Sequence, residues 1–365
     1  MKSMEKTQGK IGIKEFVAII LLTVGTKLSD NTPNILYEDI ANAAWLSIFL
    51  ICLIWLIPLV LLIKLNTLYK DKNLIEIIQH LFGKYLGFAI LFICWFMQTY
   101  VMFYNSVIYP DIIKTMYFNN TPLLVIALVL MAVTSFGAMK GLESIGSTAW
   151  ITLIVIKISL IMVLVITFLQ GEMDFIYPLL GEGGWKLIKE SYNNSSIFTE
   201  FLYIFFIASS IKNTKVFTKG LWIGYIFVSI EFILALVGYV MIFDYYGIRL
   251  LDYPYHETIR YIQLGFLTNV ELFFFPFWIV ASFIRLSFYL YLSALLFGAL
   301  FKIKQFQYIV PTLATISVFL GLIPQSITFS IDYLREIFLQ IITPFVLSLP
   351  LILWITAKLK GELKK

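Results

Sequence analysis

Four charged residues stand out inside otherwise apolar runs: Lys157, Glu200, Glu231 and Arg285. A charge at membrane depth costs several kcal/mol unless it is paired or hydrated, so each is a candidate for function. Lys157 stands in the middle of "VIKISL". It could serve as a fixed positive charge in place of a bound cation, bonding carbonyls freed by a break in a neighbouring helix. It could instead carry a proton, or be a structural lysine in a polar gap. Glu200, beside Thr199 and Tyr203, could accept bonds from freed backbone N–H groups, face the amino group of a ligand, or sit as an interfacial glutamate on a rim. Glu231 and Arg285 come at similar depth in successive runs and read as a structural ion pair. In "MQTYVMFYNS", Tyr100 and Tyr104 are four residues apart and share a helix face, with Gln98 and Asn105 nearby. They could gate a pocket for a small solute, although with 17% aromatic residues a tyrosine stripe also reads as packing. The stretch "LLTVGTKLSDNTPNIL" at 21–36 abandons an apolar run through Gly25, hydroxyls and charge. Thr23, Gly25 and Thr26 there, with Phe198, Thr199, Glu200 and Tyr203 later, form the candidate ligand-binding set.

Catalysis finds no footing in this pattern. There is no Ser/His/acid set, and two histidines are too few for acid–base work. "GEGG" at 181–184 is a turn rather than a phosphate cradle, because no strand precedes it and no helix opens in the required way. Cys52 and Cys94 lie within apolar runs without metal-ligand spacing. No enzyme activity, cofactor or metal site is expected.

The elements that must position these residues are membrane helices. Sixty per cent of the 365 residues are hydrophobic and 13% charged, with mean hydropathy +0.89. A span needs roughly 20 mostly apolar residues. Ten segments fit, near 11–28, 41–63, 86–108, 121–139, 148–170, 195–211, 221–243, 270–298, 308–323 and 333–357. Residues 151–168 lack the alternation of a membrane β-strand. The fold class expected is therefore an all-α polytopic membrane protein. Lysines gather at both ends and in alternate loops, while acids such as Asp30, Asp111, Glu182 and Asp252 fill the others. This places both termini in the cytoplasm. The net charge of +5 is accounted for by topology, with no nucleic-acid partner implied. No small-residue cleavage site follows the first span, so it is expected to remain as an anchor.

The chain divides into two halves of five spans, 11–170 and 195–357, flanked by tails 1–10 and 358–365 and separated by a polar loop at 171–194. An odd number of spans makes the halves inverted repeats. Transporters of that plan bind solutes where the first helix of each repeat is broken, here spans 1 and 6. "NLIEIIQHLFGKYLG", with Leu74, Ile77, Ile78, Leu81 and Phe82 on one stripe, predicts a surface helix before span 3. "YPYHETIRYIQLGFL", led by Pro254 with Ile259, Ile262 and Leu264 behind it, predicts a second one capping the vestibule before span 8.

Several segments resemble one family. "YPLLGEGGWKLIKES" at 177–191 is similar to the P-x-L-G-E-G segment of the endospore germination permeases, the B subunits of nutrient germinant receptors within the amino acid–polyamine–organocation superfamily. The 253–283 segment, with Pro254, Arg260, Ile262, Glu271 and Trp278, looks like that family's next hallmark, and "TVGT" at 23–26 resembles its break in span 1. Pro33 lies later than the family's proline, and Phe198 stands where a glycine is common. The resemblance implies a LeuT-type 5+5 fold and binding of a small-molecule germinant, often an amino acid. It also implies residence in the lipid bilayer of the spore inner membrane, with A and C subunits as partners. A proton-coupled amino acid or amine symporter, with Lys157 as its coupling residue, is the alternative.

Overall fold

The computed structural model describes residues 10–70, 72–262, 271–323 and 335–364. Lys2 and Lys6 of the tail, Leu264, the opening of the last expected span at 333–334, and Lys365 lie outside the described residues. The elements are α1 (Ile13–Thr23), α2 (Thr32–Ile40), α3 (Ala44–Leu68), α4 (Leu74–Met116), α5 (Leu123–Met139), α6 (Leu142–Gln170) and α7 (Gly184–Asn193). After these come α8 (Glu200–Tyr203), α9 (Thr214–Ile248), α10 (Pro254–Tyr261), α11 (Glu271–Phe301), α12 (Val310–Gly321) and α13 (Glu336–Leu359). Among the described residues six helical stretches are long and apolar enough to cross a membrane, the first running Thr32–Leu68, and two shorter apolar helices, Leu123–Met139 and Phe306–Gly321, accompany them. The interrupted segments 13–40 and 194–210 fall where spans 1 and 6 are expected. Ile57, Phe136 and Ile151 are well exposed on these helices, as lipid-facing residues must be.

The first span departs from its expected limits. It does not exit near residue 28; a tight 3₁₀ turn at Gly25–Ser29 leads into α2, which continues the pass to Ile40. Local chemistry explains the restart. Asp30 accepts from the Thr32 amide at 2.7 Å and from its hydroxyl at 2.5 Å, and Pro33 occupies the first turn, where no N–H is needed. Span 6 is broken likewise, into 3₁₀ segments at Asn194–Phe198 and Ile204–Ser210 around the short α8.

Between spans 2 and 3, Asn73 and Glu76 form a reciprocal cap and the stripe Leu74, Ile77, Ile78 and Leu81 is buried, as expected of the surface helix. Gly83, at φ 72°, then turns the chain into the spanning part of α4. In the 171–194 loop, Gly181 has φ +54°, and a Cβ there would come within 2.4 Å of the Ile40 carbonyl. Asn42 donates to the carbonyls of Phe175 and Tyr177 at 2.7 and 2.9 Å. The glycine-rich loop is thus fastened to the end of α2. Helix α11 runs through the middle of the bundle, buried almost continuously from Ile284 to Leu296. Before α1, Ile11 pairs with the end of span 6. Its N–H donates to Ser210 O and its carbonyl accepts from the Lys212 N–H, both at 3.1 Å.

Candidate functional site

Breaking spans 1 and 6 frees carbonyls and amides at a depth where no lipid can satisfy them. Charged side chains take that role here. Lys27, from the break in span 1, donates to the carbonyl of Ile197 in the break of span 6. Arg285 of α11 donates to the freed carbonyl of Thr23. The cations are compensated in turn. Lys27 Nζ lies 2.6 Å from Glu200 Oε1, and the Tyr289 hydroxyl donates to the same carboxylate. Arg285 Nη2 stands 3.8 Å from Asp30 and 3.9 Å from Glu200. Arg335, just before α13, reaches Asp30 at 3.5 Å, donates to the Thr32 hydroxyl, and meets the Tyr104 hydroxyl at 3.3 Å. Its guanidinium lies 5.2 Å from the Tyr104 ring, and that of Arg285 lies 4.8 Å from the ring of Tyr289.

All five charged residues are buried, and all border one cavity of ≈ 50 Å³. That is space for a few waters or a small polar group. Among the described lining residues three cations face two anions, one positive charge more than these anions balance. Arg285 Nε and Asn31 Nδ2 add buried donors with no protein partner among the described residues.

Of the candidate ligand residues, Tyr100, Tyr104, Thr199, Glu200 and Tyr203 line this cavity, as does Gln98. Tyr104 donates to Asn31 Oδ1 at 2.8 Å, Tyr203 donates to Cys94 O at 2.8 Å, and the Tyr100 ring stacks on Phe338 at 3.9 Å. Gly25 and Thr26 border a second small cavity on the other side of the break, with Lys157 and Trp278. The Thr23 hydroxyl turns back onto Ile19 O at 2.6 Å, leaving only its carbonyl to the site. Phe198 is a correction: fully buried, it packs edge-on against Phe201 and Phe232 rather than lining the cavity. The expected Glu231–Arg285 pair is another. Glu231 is bound by Lys157 at 2.6 Å, and Arg285 serves the break instead. Lys157 Nζ also lies 3.4 Å from the freed Leu21 carbonyl, and this pair sits directly behind Gly25, whose added Cβ would meet Glu231 Oε2 at 3.2 Å.

Lys27, Asp30, Arg335 and Tyr289 were missed. Lys27 and Asp30 sit in a run of polar residues that hydropathy reads as a loop, and Arg335 adjoins a span start where a charge normally meets water. Pro33, after that run, was the available signal that a helix restarts at once. The surface helix α10 begins at Pro254 as expected, and its His256 is buried edge-on against Trp278 at 4.7 Å. Burial pushes the imidazole down to about 3, so it stays neutral. Trp278 in turn donates to Ser29 Oγ at 2.7 Å, tying α10 and α11 to the break.

An all-α bundle with two interrupted helices enclosing a charged central cavity defines a polytopic membrane protein of the LeuT fold. A solved transporter of the nucleobase-cation-symport-1 family, Mhp1, closed on bromovinylhydantoin, superposes with a TM-score of 0.68 at 12% identity, covering 96% of this chain and 79% of its own. The profile of the family described as "Spore germination protein" matches residues 13–330, and the chain belongs to that family. Spore germination protein KB of Bacillus subtilis (strain 168) is 24% identical over 98% of this chain and 97% of its own length. Spore germination protein XB of Bacillus anthracis is 20% identical over 76% and 79%.

Proposed function

We propose that this chain is the germinant-sensing B subunit of a spore nutrient receptor, binding a small solute with a carboxylate, such as an amino acid, between spans 1, 3, 6, 8 and 10. The observation that carries the reading is the charge of the central cavity, where the described lining residues are three cations against two anions and Arg285 Nε has no partner among them. An entering carboxylate would balance it, and the Glu200 side would face a ligand amine. Ligand binding shifts a conformational equilibrium only through differential affinity. The broken helices give that difference, because their ends close on the solute in one state alone. Residues 11–170 and 195–357 act in this reading as inverted repeats, with both termini in the cytoplasm and the chain in the spore inner membrane. The apolar residues exposed around the 171–194 loop, Tyr177, Leu180 and Trp185 among them, offer surface for A or C partner subunits.

The test is thermal unfolding of the purified protein with amino acids against their carboxamides. A ligand at 100 times its Kd stabilises the folded state by about 2.7 kcal/mol. Carboxylates are expected to raise Tm and amides not to, and Arg335→Met is expected to erase the rise. Equal shifts with acid and amide would overturn the carboxylate assignment.

A second reading, a proton-coupled symporter, rests on the Lys157–Glu231 pair joined to the Leu21 carbonyl behind the break. Accumulation of labelled substrate in vesicles under a proton gradient would establish it and sink a purely sensory role.

A further inference from the structure

A further cleft is remote from the central site and has no part in the reading above. It measures ≈ 520 Å³ and lies at the end carrying the termini, between the start of the spanning part of α4 and the end of α11. Leu91, Ala299 and Leu300 line it and are buried, Phe88 lines it and is exposed, and the lining also includes Gln79 and the exposed Lys84 and Lys302, with no carboxylate among the described lining residues. Two backbone turns open it. Gly83 swings the surface helix away from α4 and leaves open space where a Cβ would stand. Lys302 adopts φ 57°, while the next amide, Ile303 N–H, closes onto Gly298 O at 2.8 Å. Glycine is the residue of low cost at such a helix end. Here the position keeps a long cationic side chain at the mouth of an apolar slot.

We propose that this cleft binds an anionic phospholipid of the leaflet on the side of the termini. The slot takes part of an acyl chain along Phe88 and Leu91, and Lys84 and Lys302 hold the headgroup phosphate. Three features favour a lipid over a soluble solute. The buried lining residues Leu91, Ala299 and Leu300 are apolar while both lysines are exposed, the order in which a bilayer presents chain and phosphate. The flanking surface is already lipid-facing, with Phe88 and Phe301 exposed and in edge contact at 6.5 Å. Tyr85, beside Lys84 and widely exposed, sits where interfacial aromatics anchor.

Native mass spectrometry of the full-length protein with equimolar phosphatidylglycerol and phosphatidylcholine tests this. Two lysines at a membrane surface give roughly thirtyfold preference for the anionic lipid. That preference is expected to fall to near unity in Lys84→Gln/Lys302→Gln, to survive in Lys84→Arg/Lys302→Arg, and to survive in Lys215→Gln/Lys219→Gln, which removes the same charge from exposed positions elsewhere on that side. Equal retention of the two lipids by the unmodified protein would overturn the proposal, and that comparison needs no variant. Equal losses from the cleft and control pairs would reduce it to bulk charge, and overturn it. Competition by glycerol phosphate at the lipid's own concentration would show a soluble phosphate site, and so exclude the lipid.

Discussion

The two faces of the break in span 1 handle buried charge differently. On the side of spans 3, 6 and 10, Lys27, Asp30, Glu200, Arg285 and Arg335 gather around one cavity, the cations outnumbering the anions by one among the described lining residues. On the opposite side, Lys157 and Glu231 form a closed one-to-one pair whose side chains keep 17% and 15% exposure. Each ion taken from water costs several kcal/mol, and only close partners offset it. A balanced pair has met that demand and holds helices together. The front cluster satisfies backbone ends, and in the proposed function its extra cation would attract an anion. The front therefore looks like a receiving site and the rear like a brace.

The largest expected effect tests the front. Glu200→Gln leaves three buried cations with Asp30 alone, and a loss of about 3–5 kcal/mol of stability is expected in thermal or denaturant unfolding. A small effect would mean that the cluster is hydrated and the contrast between the faces false. Next comes the brace. Lys157→Met strands Glu231 in a partly exposed place and is expected to cost about 2 kcal/mol. Adding Glu231→Met to it should return stability to within about 1 kcal/mol of the parent, as replacing both partners of a pair does. If instead the double variant unfolds as readily as the single one, the pair is not a self-contained unit. The smallest effect is expected from Gly25→Ala, whose methyl meets the rear pair at 3.2 Å and not the front cavity. A loss of about 1 kcal/mol with an unchanged ligand-induced rise in Tm would separate the two faces. Loss of that rise would join them.

Hydropathy alone revealed the helical class, the passes and the surface helices, because lipid exposure makes an apolar segment long and unmistakable. The position of the breaks was also legible, from Gly25 and from the polar opening of span 6. What escaped was the inner side of each break. Lys27, Ser29, Asp30 and Asn31 have the composition of a solvated loop, and hydropathy measures composition rather than enclosure. Glu231 and Arg285 were matched by depth, yet pairing between helices depends equally on which way each face turns. That angle is set by packing: α11 points Arg285 at span 1, while α9 points Glu231 at α6.

The pairing of Ile11 with Ser210 and Lys212 has a mechanical meaning. It is a clasp between the two interrupted spans made only of main chain, so its strength is indifferent to which side chains stand there. Parting the spans at that end requires giving up two hydrogen bonds together, a small toll that a solute closing the centre could raise or remove.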